Sequence, residues 1–272
     1  MGNEADIEHC GGMARVTWLK AVAVAAAVAS LTINFGLIDL VDGFTGYVDQ
    51  ERNQVLDVGW GAVFGVVLPL GLLALLRRPE RRIACVQQTA VGALALALAG
   101  AAGESWWYLV LAAGVAGVSA VLAALHPARH TFGVRGRQPD RTMLVLAAVA
   151  AGPSLVYVWR MASAQRRDLP PSDAVSNGLH HWTVMAALAL VVLLLVLLAA
   201  LRTSGWRIPA ISASIAAGAW AISCLLAPAA AAGSEGHAWA WMVLAWAVVT
   251  FATATLPRTG ERPLTSVPVP LA

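Results

Sequence analysis

Few side chains in this sequence are able to do chemistry. Asp39, Asp42, Asp57, Glu104, His180, His181 and His237 stand out because each lies at the edge of a long apolar run. Imidazole with carboxylate is a pairing that binds a divalent cation or relays a proton. The spacing argues for less. His180 and His181 are neighbours in the chain, and adjacent side chains do not share a helix face, so the plain reading is a solvated boundary cluster. These acids sit at the mouths of apolar segments rather than near their middles, which weakens the case for a proton-coupled transporter. No catalytic, cofactor-binding or metal-binding residue is assigned from the sequence, and no cofactor is expected.

The common reactive motifs are missing. There is no GxGxxG, no GxxxxGK[ST], no HExxH and no GxSxG, so nucleotide, zincin and serine-hydrolase chemistry has no handle. Cys10, Cys85 and Cys224 are far apart and suggest neither a disulfide framework nor a thiolate metal site. Lys20 is the sole lysine and lies near the start of the first apolar run. Asn34, Gln87, Gln88, Ser212, Ser214 and Ser223 fall inside apolar runs, where the expected role is hydrogen bonding between helices.

The elements that must position these residues are helices in lipid. The chain has 272 residues, 59% hydrophobic and 12% charged, against about 25% charged in an average soluble domain. Residues 184–201, VMAALALVVLLLVLLAAL, contain no polar side chain, enough as a helix to cross a hydrocarbon core of roughly 30 Å. Further apolar runs predict an all-α fold with eight spans, at 16–38, 58–76, 83–102, 106–125, 142–161, 181–201, 208–227 and 238–256. Trp106, Trp107, Tyr108, Trp182, Trp206, Trp239 and Trp241 stand at span boundaries, as an interfacial aromatic belt would. Small residues mark expected helix contacts: Ala112, Ala116, Ala120 and Ala124 in the fourth span, Gly61 and Gly65 in the second, Ala213, Ala217 and Ala221 in the seventh.

Charge orients the set. A cytoplasmic N-terminus puts fourteen of the eighteen basic residues on the cytoplasmic side and leaves Arg52, Arg160, Arg166 and Arg167 outside. Both termini are then cytoplasmic, and the outer face gathers nine acids and becomes net negative. The basic segment 126–141 fits contact with anionic headgroups. The basic residues form short clusters between apolar runs rather than a stripe on a polar surface, so no nucleic-acid partner is expected.

A weak internal repeat is visible. LLRRPERRI at 75–83 aligns with ALRTSGWRI at 200–208, and GESWWYLVLA at 103–112 with GHAWAWMVLA at 236–245. An even number of spans per copy predicts two parallel four-helix units. The organisation expected is an N-terminal tail 1–15, a first unit 16–137, a second unit 141–256 and a Pro-rich tail 257–272, in a bacterial cytoplasmic membrane. The leading functional expectation is a structural or interaction-type membrane protein, with membrane lipids, another membrane protein or a second copy of the chain as partner. A permease for a small or lipid-like solute is the alternative, and an intramembrane enzyme the third class.

Sidedness is testable. After replacement of the native cysteines, a cysteine introduced at Gly133 resists an impermeant thiol reagent in intact cells, whereas one at Ser172 reacts; labelling at Gly133 with protection at Ser172 overturns the orientation.

Overall fold

A computed structural model describes residues 3–32, 36–45, 54–129, 138–167, 180–227 and 232–256, with side chains in the first helix from Met13 onward. All regular structure among them is helical. The helices are α1 (Asn3–Thr32), α2 (Gly36–Thr45), α3 (Gln54–Ala74), α4 (Ile83–Ala102), α5 (Trp106–Leu125), α6 (Arg141–Arg167), α7 (His181–Ala200), α8 (Arg207–Leu226) and α9 (His237–Thr255). All but α2 contain a stretch long and apolar enough to cross a membrane, eight in total, as the sequence predicts. The expected tail 257–272, Asn34, Gly133 and Ser172 lie outside the described residues.

The helices divide into a buried core and a periphery. The buried share of the eight runs 22, 83, 67 and 22% through α1, α3, α4 and α5, and then 22, 89, 67 and 22% through α6, α7, α8 and α9. Adjacency follows the same order. Within the first four, α1 packs on α3, α3 on α4, α4 on α5 and α5 back on α1; among the last four, α6, α7, α8 and α9 close the same ring. The rings join through their buried members, α3 and α4 against α7 and α8.

The matched helices also agree residue by residue. At a separation of 124, buried Leu19, Ala23 and Ser30 correspond to buried Met143, Ala147 and Ser154, and Val86, Gln88, Ala93 and Ala99 to Ala210, Ser212, Ala217 and Ser223. Arg78 and Arg202, at the same separation, both take left-handed backbone at φ 52 and 51. In the last pair the register moves on by four residues: Ala112, Ser119 and Leu122 correspond to Ala240, Ala247 and Thr250. The sequence matches at the helix boundaries are slightly out of step with this register. Pairing Gly103 with Gly236 sets buried Tyr108 against Trp241, which is 61% exposed.

Local departures from ideal helix occur in the first half. Residues Gly61–Val67 of α3 form a π-helical segment, and the short helix α2 lies against it. Gly61 and Gly65 allow that approach, since a Cβ on Gly65 would stand 2.4 Å from the Gly36 carbonyl oxygen and one on Gly61 2.4 Å from Leu40 Cα. The GxxxG pair thus holds α2, most of which lies between the expected spans 16–38 and 58–76. The second half is tied by Asp140. Its Oδ1 accepts from Met143 N at 3.1 Å as a cap of α6, and its N–H donates to the Ala200 carbonyl at the end of α7 at 2.7 Å.

The small-residue line in the fourth span is a correction. Ala112 is buried, but Ala116, Ala120 and Ala124 are exposed; the inward stripe of α5 is Tyr108, Ala112, Ser119 and Leu122. Alanine spacing cannot choose between lipid and protein because both are apolar. Ala213, Ala217 and Ala221 of α8 are buried as expected. Consequently Ala116→Leu leaves the melting temperature in detergent nearly unchanged, while Leu122→Ala costs about 2–5 kcal/mol through the cavity it opens. Equal melting temperatures for the two variants contradict this assignment of faces.

Candidate functional site

The seam between the two rings carries polar groups at both ends. Towards the C-terminal ends of α3 and α7 it is closed by Gln88 of α4, whose Nε2 donates to Ser212 Oγ of α8 at 3.0 Å and to the Val67 carbonyl at 2.6 Å. Gln88 and Ser212 are the 124-residue counterparts of one another, so this bond joins matched positions. Both side chains are fully buried. The expected role of interhelical glue is what they perform.

At the opposite end, near the N-termini of α3 and α7, His181 Nε2 lies 3.5 Å from Asp57 Oδ1. These two are also 124 residues apart. Their side chains are only 6 and 14% exposed. The helices come together here because Gly59 has no side chain: a Cβ at that position would meet Met185 Sδ at 2.4 Å. Trp60 forms the wall, its ring centroid 6.0 Å from the His181 ring and 5.8 Å from Tyr108 in an edge-on contact. His181 Nδ1 is buried without a hydrogen-bond partner, which leaves the ring one polar face turned into protein.

Helix α2 brings the remaining acids to this end. Asp39 and Asp42 act electrostatically on Asp57, and Asp39 acts on Tyr108. Gln54 fastens α2, its Nε2 donating to the Gly43 carbonyl at 3.2 Å. Burial, with the Asp42 charge beside it, pushes the Asp39 carboxyl up to about 7. One Asp39 oxygen, Oδ2, is buried without a partner. Among the described residues no three His, Cys, Asp or Glu side chains converge closely enough to hold a metal ion.

Of the residues singled out in the sequence, Asp39, Asp42, Asp57 and His181 are therefore brought together. His180 is not part of the pair: it begins α7 with left-handed backbone at φ 52 and its Nδ1 shares a hydrogen bond with Ser105 Oγ at 3.0 Å. Glu104 and His237 are exposed, at the starts of the peripheral helices α5 and α9. Asp57 and His181 are not the solvated boundary groups that their positions suggest. They are nearly buried in the first turns of their spans, at the ends rather than the middles, so their placement at the mouths stands and their solvation is what changes. Gln54, Trp60 and Tyr108 were not anticipated as members of the cluster; the glycines at 59, 61 and 65 were the available signal, since close helix approach there had to bury whatever lay beside them.

The raised Asp39 carboxyl makes stability depend on pH with a definite sign. An unfolded aspartate titrates near about 3.9, so between there and about 7 the folded chain binds a proton that the unfolded chain does not. The Asp39 contribution is then fully present in acid and is lost as pH rises through about 7. Asp39→Asn flattens the fall in melting temperature between about pH 4 and about pH 7, the interval between the unfolded and folded values; an unchanged slope contradicts the burial of this carboxyl. No family model matches the chain, nor does any curated protein or solved structure, so what this cluster does is read from its geometry alone.

Proposed function

We propose that the chain is a polytopic α-helical protein of a bacterial cytoplasmic membrane, with both termini cytoplasmic, built as two parallel four-helix copies that handle a small or lipid-like solute at the seam between them. The duplication is supported by the equal adjacency rings, by the paired burial profile and by the common 124-residue register. An axis relating the copies would run along the seam between Gln88 and Ser212 and between Asp57 and His181, and repeat-built transporters bind their cargo at such interfaces.

The observation that carries the reading is the Asp57–His181 pair, 3.5 Å apart within two candidate spans. An ionisable group inside a membrane helix costs about 2.5–3.5 kcal/mol at the centre and less towards the ends. A scaffold held by packing has no need of one, whereas a seam that changes charge as it moves does. This puts the permease class ahead of the structural or interaction class favoured by composition. Gln88 and Ser212 close the seam at its other end, so passage requires the two copies to rock against one another.

Transbilayer exchange of a fluorescent lipid tests the proposal. In reconstituted vesicles the wild-type chain accelerates exposure of inner-leaflet NBD-labelled lipid to dithionite, and Asp57→Asn or His181→Gln slows it about a hundredfold or more, the scale of a lost proton-transfer group. A wild-type rate equal to that of protein-free vesicles returns the chain to the scaffold class.

A further inference from the structure

Each four-helix ring encloses a cavity that opens between its first and last helices. The cavity of the first ring, about 290 Å³, is lined by Ala26, Ser30 and Leu68, with Leu111, Val115 and Val118 on α5. That of the second, about 170 Å³, is lined at the matched positions by Ala150, Ser154 and Val192, with Trp239, Val243 and Trp246 on α9. The indoles account for the smaller space. Trp246 Nε1 donates to the Leu146 carbonyl at 3.0 Å and closes the end towards the start of α6.

Among the described residues, only the second cavity has a charged mouth. Pro153 and Trp239 line it and also line a further cavity of about 170 Å³ that reaches Arg160 and Glu235. Those two in turn line an outer cavity of about 310 Å³ with Arg167, Trp182 and Ser234. The three form one groove, apolar in its depth and basic at its rim. Arg160 pairs with Glu235, and Arg167 adds a second positive charge. Two polar atoms along the groove are buried without a partner, Trp239 Nε1 and Glu235 Oε1. At the position matching Arg160 the first ring has Gly36, and at that matching Glu235 it has Trp107.

We infer that this groove between α6 and α9 binds a phospholipid with an anionic headgroup, its acyl chain lying along Pro153, Trp239 and Val243 and its phosphate against Arg160 and Arg167. The inference rests on the membrane orientation proposed above but not on the Asp57–His181 seam. In that orientation the outer face holds nine acids and four arginines, and two of the four, Arg160 and Arg167, stand at this one mouth. Arg166 is already engaged, donating to the Ala102 carbonyl and to Ser163 Oγ and lying over the Trp159 ring. Among the described residues, the charge left for a headgroup is therefore that of Arg160 and Arg167 against Glu235. A neutral amphiphile gains nothing from such a rim.

Quenching of tryptophan fluorescence by phospholipids brominated on the acyl chain reads this site once the exposed Trp18, Trp106, Trp107, Trp159 and Trp241 are replaced by phenylalanine, since Trp239 and Trp246 line the groove. In vesicles of the full chain, brominated phosphatidylglycerol quenches at lower mole fraction than brominated phosphatidylcholine. Arg167→Gln, at an exposed residue, weakens that preference about fivefold, and Arg160→Gln with Arg167→Gln removes it, at about a factor of five for each basic group near the headgroups. Ala150→Leu reduces quenching by both lipids while leaving both arginines in place, which separates loss of the site from loss of the fold. Gly114→Leu, in the first cavity, leaves the preference intact. Equal quenching by the two lipids, a preference untouched by the arginine variants, or no quenching of groove tryptophans because another helix fills the space would each overturn the inference. Loss of lipid exchange in the seam variants with the quenching preference retained would overturn neither this site nor its assignment, because the seam residues do not line it.

Discussion

The close approach of α3 to α7 is the constraint on which the rest of the structure depends. Gly59 lets Met185 into the space where a side chain would stand, and with α4 and α8 the two helices form the buried core. Apolar association has no hydrophobic drive inside a bilayer, so such a core is held by packing and by hydrogen bonds between helices. Gln88 with Ser212 supplies one such bond and His181 with Asp57 a second polar contact. The remaining long helices then have only one face to offer the core and turn the others outward.

That arrangement explains what was legible in the sequence and what was not. Span number and approximate ends follow from long apolar runs bounded by Arg, Trp and Pro, and the structure has eight such helices. Faces are a different matter. The 181–200 helix is apolar all round because protein surrounds it, whereas α5 is apolar all round because its outer face is exposed; no polar stripe marks the inward side of either. Ala116 was misplaced for this reason. Tyr108, aligned with the boundary tryptophans by its position, instead points inward and is fully buried.

The candidate site was half legible. Its acids and histidines are rare enough in this chain to stand out, and Asp39, Asp57 and His181 do meet. Their burial was not legible, because it depends on α2, a ten-residue helix too short to register as a span. Gly61 and Gly65 announced a close contact without saying with what. The π-helical segment begins at Gly61 and includes Gly65, and no such segment occurs in α7. The two halves are thus alike in arrangement and different in detail where the polar groups are.

The separation of 124 residues between Gln88 and Ser212, and again between Asp57 and His181, has a consequence for ancestry. In a symmetric dimer of one four-helix chain, a residue on the two-fold axis can face only its own copy. Asp57 would oppose another aspartate, and Gln88 another glutamine. Two carboxylates at that distance cannot both ionise, so a dimer would have to leave the position neutral or give it up. Under the duplication proposed above, joining the two copies in a single chain removes the restriction, and an acid on the axis can then come to face a base, as Asp57 faces His181.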